Sequence, residues 1–302
     1  MLLIIIPTLT SVVLGGTYIA TAAQQALSFQ RVETLAKLSS DITVLAAHLE
    51  DERDETMKYI GLGQVHKGGR GDILTPQQLL TATPAATQSS NLAKAELQLV
   101  QQLQGRTDPW IRKVRADSAN IGAGYPPQVQ EQAQQLGTVL SKIPQLRTAA
   151  TTSRIGAVDV MTAYISDINS LLTIDNGVAL GSGDAALNND VRSLNLVSLI
   201  AEETSEQRGL LVFEFAVDKN FDQKGLSAMQ TAVAEQAANL AEFNRVATAD
   251  QVALFNRQLH NPAVGTASTQ EQQAINKGIS NQALNEDPTT ANDWFGQMTI
   301  GS

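Results

Sequence analysis

The 302-residue chain contains no cysteine, which excludes disulfides, thiolate metal sites, C-x-x-C redox pairs and a cysteine nucleophile. Aromatic residues supply only 4% of it, which argues against a large β-sandwich core. Three histidines, His48, His66 and His260, lie far apart, and none stands in an H-x-x-x-H or H-E-x-x-H pattern, so no metal-ligand set is legible. His48 reads as a helix-surface or packing residue. G-x-G-x-x-G, G-x-x-x-x-G-K-[ST] and G-x-S-x-G are all missing, and HKGGRGD at 66–72 lacks the strand-turn-helix setting of a phosphate loop. Without a nucleophile–base pair, a metal cluster or a cofactor fingerprint, the expectation is a protein that is not an enzyme and holds no cofactor. Charge of one sign is also short: 21 Lys and Arg face 30 Asp and Glu, and the net charge of −9 opposes the phosphate neutralisation that drives nucleic-acid binding.

What is present is apolar and helical. Hydrophobic residues are 43% of the chain, enough for a sizeable core. No Asp, Glu, Lys or Arg precedes Arg31, and residues 2–23 are almost wholly apolar or small, long enough to cross a ~30 Å hydrocarbon layer. Two readings compete, a transmembrane anchor or a signal peptide cleaved after Ala20-Thr21-Ala22. The anchor is favoured because the run outlasts a typical signal core and passes into a helical pattern with no loop between. Both place the rest of the protein outside the cytoplasm. The absence of leading basic residues suggests that the chain begins inside a longer one. The sequence therefore divides into an anchor at 1–24 and a helical domain at 25–302.

Leu35, Leu38, Ile42, Leu45 and Leu49 recur in steps of three and four, the seam of a long helix from about Leu27 to Gly61. The Gly-, Pro- and Thr-rich stretch 63–90 reads as a loop with at most a short helix near Thr75 to Leu80. Further helices are expected over Asn91 to Gln104, from Pro109 with Asp108 as cap, over 128–142 up to Pro144, and over Thr152 to Ile174. Others follow over Ala185 to Val217, over Gly225 to Ala249, and from Ser268, where Glu271 completes a capping box. Strand-like alternation is essentially missing, so the fold class is all-α, antiparallel bundles of long helices. Trp110 and Trp294 are expected to pack at bundle ends.

Charges interrupt two of these seams. Beyond Leu49 the first leads to Glu52 and Arg53; on the other long helix Leu187, Val191, Leu194, Ala201, Ser205 and Arg208 share a stripe that resumes at Val212 and Phe215. Arg53 and Arg208 stand 155 residues apart in related contexts, LEDERDETMKYI and AEETSEQRGLLVFEF, which suggests a weak duplication of a helix hairpin. A guanidinium on a bundle seam needs a carboxylate or a bound anion, and its planar fork of donors suits planar oxyanions. Either Glu50, Glu52, Glu203 or Glu206 neutralises these arginines internally, or they form a ligand site. Arg147 and Arg154 are candidates to approach it from a neighbouring helix, although each reads more simply as a solvated charge.

The sequence resembles the nitrate- and nitrite-sensing (NIT) domain of bacterial receptors. Glu52-Arg53, YISDINSLL at 164–172 and AEETSEQRGLLVFEFA at 201–216 carry the resemblance, supported by RTDPW at 106–110, PQLRTAA at 144–150, LAEFNRVA at 240–247 and DWFGQMT at 293–299. It implies two four-helix bundles joined through long helices, preceded here by the transmembrane segment. It also implies nitrate or nitrite binding by Arg53 and Arg208. Members usually lie outside the membrane between two transmembrane helices and signal to a histidine kinase or other output domain, as homodimers, so a second such helix is expected beyond DWFGQMT. One departure stands out: Asp54 follows Arg53 where related sequences often have a small residue such as Gly, and that carboxylate is placed to occupy the arginine.

Overall fold

Every regular element among the described residues of the computed structural model is a helix. Those residues are 2–64, 77, 84–152, 156–180, 185–217, 221, 223–259 and 262–284, with the side chains of 2–29 and of several helix ends outside them. In chain order the helices are α1 (Leu2–Gln64), α2 (Pro84–Ala119), α3 (Pro127–Thr151), α4 (Ala157–Leu180), α5 (Ala185–Val217), α6 (Gln223–Val246), α7 (Ala249–Leu259) and α8 (Pro262–Ile279). The expected anchor at 2–23 falls within α1, on residues whose side chains lie outside the description. Among the described residues no helix is long and apolar enough to cross a membrane.

Polar contacts between helices give their directions. Lys37 meets Asp117, Lys113 meets Asp41 and Lys58 meets Glu96, so α1 and α2 run antiparallel. Arg147 reaches Asp108 and Arg115 reaches the Leu140 carbonyl, which sets α3 antiparallel to α2. Asn195 donates to the Leu172 carbonyl while Gly209 lies against Met161, so α5 opposes α4. Arg192 to Glu242 and Gln236 to Thr204 do the same for α6 and α5. Helices α1 to α4 pack as a closed ring, each on the next, and α5 lies on the α1 and α4 face, followed by α6 and then α8. The alternation leaves α1 and α5 parallel, side by side. The all-α expectation therefore holds. The ring supplies one four-helix bundle, and the second half is a layer in which α5 packs on α1 and α4, and α6 packs on α5.

The first seam is as expected, with Leu35, Leu38, Ile42, Leu45 and Leu49 buried in the main core. The second holds at Ser205, Arg208, Val212 and Phe215, all buried, and is corrected nearer its start. Leu194 is 60% exposed and Ala201 is exposed, while Ser193, Leu196 and Ile200 face inward; Leu187 and Val191 are outside the described side chains. Leu196 and Ile200 build a small separate cluster with Phe243.

Two prolines expected to bound helices lie inside them. In α2, Pro109 and Gly105 are both exposed, so the carbonyl that Pro109 cannot serve faces water. Meanwhile Val100, Thr107, Ile111, Val114 and Ser118 stay buried across it. Burial of that stripe outweighs the ~3 kcal/mol a mid-helix proline costs. In α3, Pro144 deprives the Leu140 carbonyl of its helical donor, and Arg115 of α2 supplies one at 3.3 Å. α3 thus continues to Thr151, burying Leu146 and Ala150 and carrying Arg147 inward. A capping box occurs at Thr248 and Gln251, each accepting the other's backbone N–H at 2.8 and 3.3 Å, and opens α7, which the sequence pattern did not reveal. Ser268 lies within α8, so its expected role as a cap fails.

Candidate functional site

Residues 52–57 of α1 and 205–215 of α5 are all buried, because here α1 is enclosed by the ring on one side and by α5 on the other. A helix buried on every side has no solvent face, so its charged residues must pair inside the protein. They do so in two clusters on opposite sides of α1.

Glu52 turns toward the ring. Arg147 of α3 grips it through two parallel bonds, Nε to Oε1 and Nη2 to Oε2, both 2.7 Å. The Tyr164 hydroxyl donates to Oε1 at 2.8 Å, and Arg147 Nη1 continues to Asp108 of α2 at 2.6 Å. Burial raises the Tyr164 phenol well above its ordinary pKa, and the adjacent Glu52 carboxylate raises it further. For Arg147, burial alone would lower the guanidinium, but the bonds and charge of Glu52 hold it above its usual range. One carboxylate thereby ties together all four helices of the ring.

Arg53 and Asp54 turn toward α5. Arg53 is fully buried and donates from Nη1 to Glu202 Oε1 at 2.5 Å and from Nε to Asp54 Oδ1 at 3.1 Å. Arg208 donates from Nε to the other Asp54 oxygen, Oδ2, at 2.6 Å. Its Nη2 reaches Ser205 Oγ at 3.1 Å and Asp51 Oδ1 at 3.4 Å, and Ser205 Oγ donates to Asp54 Oδ2 at 3.0 Å. The Asp51 side chain is 51% exposed, so the cluster reaches solvent there. Glu202, Ser205 and Arg208 recur in steps of three on α5, hence on one face.

The Asp54 carboxylate fits because residue 209 is glycine: a Cβ there would sit 2.6 Å from Oδ1 and 3.2 Å from the Met161 methyl. The balance of charge is uneven. Glu50, Asp51, Asp54, Glu202 and Glu206 surround Arg53 and Arg208. Burial pushes Glu202 well above the usual carboxylate range and lifts Glu50 and Glu206 to about 7, with Arg53 pulling each the other way. Burial alone would lower Arg53, but Glu202 and Asp54 beside it hold it above the ordinary arginine value. Two buried atoms, Arg53 Nη2 and Glu202 Oε2, have no partner among the described residues.

Arg53 and Arg208, expected together from sequence, do converge, and the carboxylate between them is Asp54. Of the proposed internal partners, Glu52 serves Arg147 instead, Glu203 accepts from the Asn239 amide at 2.5 Å, and Glu50 and Glu206 lie close as charges. Glu202, Tyr164 and Gly209 went unread; the three-residue spacing of Glu202, Ser205 and Arg208 was the available signal. Arg147, read as a solvated charge, is mostly buried, because α3 does not stop at Pro144. Arg154, His66, His260 and Trp294 lie outside the described side chains. His48 stacks on Trp110 at 5.9 Å, a packing role for both. No group of residues that could hold a metal occurs among those described. The arrangement is one of charge-assisted donors around a planar oxyanion.

A family model for nitrate and nitrite sensing matches residues 44–300. No curated protein matches the chain. A solved structure of the NasR transcription antiterminator superposes with a TM-score of 0.63, covering 93% of this chain and 67% of that one at 18% identity, a likeness of fold.

Proposed function

This chain belongs to the nitrate- and nitrite-sensing family, and on that premise we propose that it is the sensor domain of a transmembrane signalling receptor, with Arg53 and Arg208 as the seat of nitrate or nitrite. The observation that carries this reading is the convergence of two guanidiniums, 155 residues apart in sequence, on the two oxygens of one planar carboxylate. Nitrate and nitrite present a similar planar pair of oxygens on one central atom to the same donors. Arg53 Nη2 adds a buried donor with no partner among the described residues.

Signalling then follows from packing. α1 and α5 meet at this point through charges, so an anion that binds one α1–α5 arrangement better than another shifts the population toward it. α1 runs without a break from Leu2 past Arg53 to Gln64, a rigid lever toward the apolar segment at 2–23. That continuity supports a membrane-anchored receptor with its helical domain outside the cytoplasm; a homodimeric histidine kinase is the output we favour.

A second reading, a dimerisation or protein-interaction module that binds no ligand, draws on the fact that both arginines already have carboxylate partners. Calorimetric titration of the full chain with nitrate and nitrite, against chloride and sulfate, separates the two. Saturable heat with nitrate or nitrite alone, absent in Arg208→Ala, is the expected result. No heat from any anion would leave the interaction module standing.

A further inference from the structure

Resting on the anion-sensing reading, we propose that Asp54 is a built-in competitor, a side chain of the protein that occupies the oxyanion seat between Arg53 and Arg208 and sets how much nitrate or nitrite is needed to fill it. Three features of the site support this. Asp54 offers one oxygen to each arginine Nε, at 3.1 and 2.6 Å, the way a bound nitrate would bridge them. Its Oδ1 fills the space that the missing Gly209 side chain leaves open, so α5 is shaped around an oxygen atom at that point. Asp54 also comes from the same helix as Arg53, one residue along, and therefore stays beside that arginine however α1 and α5 move apart.

A competitor of this kind lowers apparent affinity by the fraction of molecules in which the seat is vacant. It makes the sensor respond at higher anion concentration than the arginine pair alone would. The cluster meets solvent at the half-exposed Asp51, which Arg208 also contacts. On this proposal an arriving anion displaces the Asp54 carboxylate from the arginine pair.

The test compares the full chain with Asp54→Ala, which empties the seat, and Asp54→Asn, which keeps the shape and removes the charge. Calorimetric titration with sodium nitrate and sodium nitrite is paired with thermal melts in the same salts. Asp54→Ala is expected to bind nitrate about tenfold or more tighter than the wild type, for a seat vacant in one wild-type molecule in about ten, with Asp54→Asn between them. A merely structural salt bridge would leave both variants binding equally or more weakly. If the emptied seat destabilises the fold, nitrate is expected to restore the melting temperature of Asp54→Ala by more than it raises that of the wild type. Equal or weaker binding in both variants, or a loss of folding that nitrate does not reverse, overturns the competitor while wild-type binding leaves the anion sensor intact. No binding by the wild type or either variant removes the anion-sensing reading and this inference with it.

Discussion

Glu52 and Asp54 stand two residues apart on α1, both fully buried, and they face opposite fates. Glu52 accepts two bonds from Arg147 and one from Tyr164, a matched set that links the four helices of the ring. Asp54 is shared between two arginines in a neighbourhood crowded with other carboxyls, beside a guanidinium nitrogen and a Glu202 oxygen with no partner among the described residues. A satisfied buried ion pair holds a fold together. A surplus of buried charge with an unmatched donor calls for an explanation, and a visiting anion is the one proposed above. The two centres therefore differ, across the thickness of one helix, in how completely their charges are matched.

Glu52→Ala should show the sharpest contrast. It strands Arg147 and Tyr164 among helices that are already closed, and breaking a buried pair on one side costs about 3–5 kcal/mol. Urea unfolding measures it, and a loss below about 1 kcal/mol would put the two centres in the same class. Arg208→Ala should be milder, since Asp54 keeps Arg53 and gains access to water by Asp51. A loss of about 1–3 kcal/mol is expected, together with loss of the nitrate-induced thermal shift; a full shift in that variant would move the ligand seat elsewhere. Tyr164→Phe removes one bond to a charged group and should cost about 1.5–3 kcal/mol, without altering nitrate binding.

Acidity sharpens the comparison differently. Burial raises Glu50 and Glu206 to about 7 and also raises Glu202 well above the usual carboxylate range, so between about pH 4.5 and 7 the folded protein holds protons that the unfolded chain has released. Stability must fall as pH rises through that window. Melting temperature should therefore drop by a few degrees from pH 5 to pH 8, and nitrate should bind more tightly at the acid end, where fewer carboxylates repel it. A flat profile would mean that these groups titrate alike in both states. The smallest effect belongs to Leu194→Ser, expected within about 0.5 kcal/mol of wild type because that side chain is 60% exposed. A large loss would restore it to the seam.

Local pattern carried much of the fold. Leu35 to Leu49 announced α1 because each repeat buries the same face, and Ala185 to Val217 was readable end to end. Arg53 and Arg208 stood out for the opposite reason, as charges breaking an apolar rhythm. Along 192–201 α5 keeps a solvent face, and there the seam was misread by one face: Leu194 and Ala201 are exposed while Ser193, Leu196 and Ile200 turn inward. Pro109 and Pro144 misled for another reason: whether a proline ends a helix depends on what the neighbouring turn gains by continuing and on who serves the orphaned carbonyl. Arg115, distant in sequence, serves the one at Leu140.

The sequence alone thus determined the all-helical class, the family and the two arginines, because period, composition and charge are properties of a chain read in order. Only the tertiary structure decided which carboxylate each arginine meets. Five acids lie within reach of the pair, and the choice among them depends on the rotation of α1 against α5, on the gap at Gly209 and on Arg147 drawing Glu52 to the other side. Partner choice between buried charges is a matter of angstroms across helices, and sequence order carries no distances.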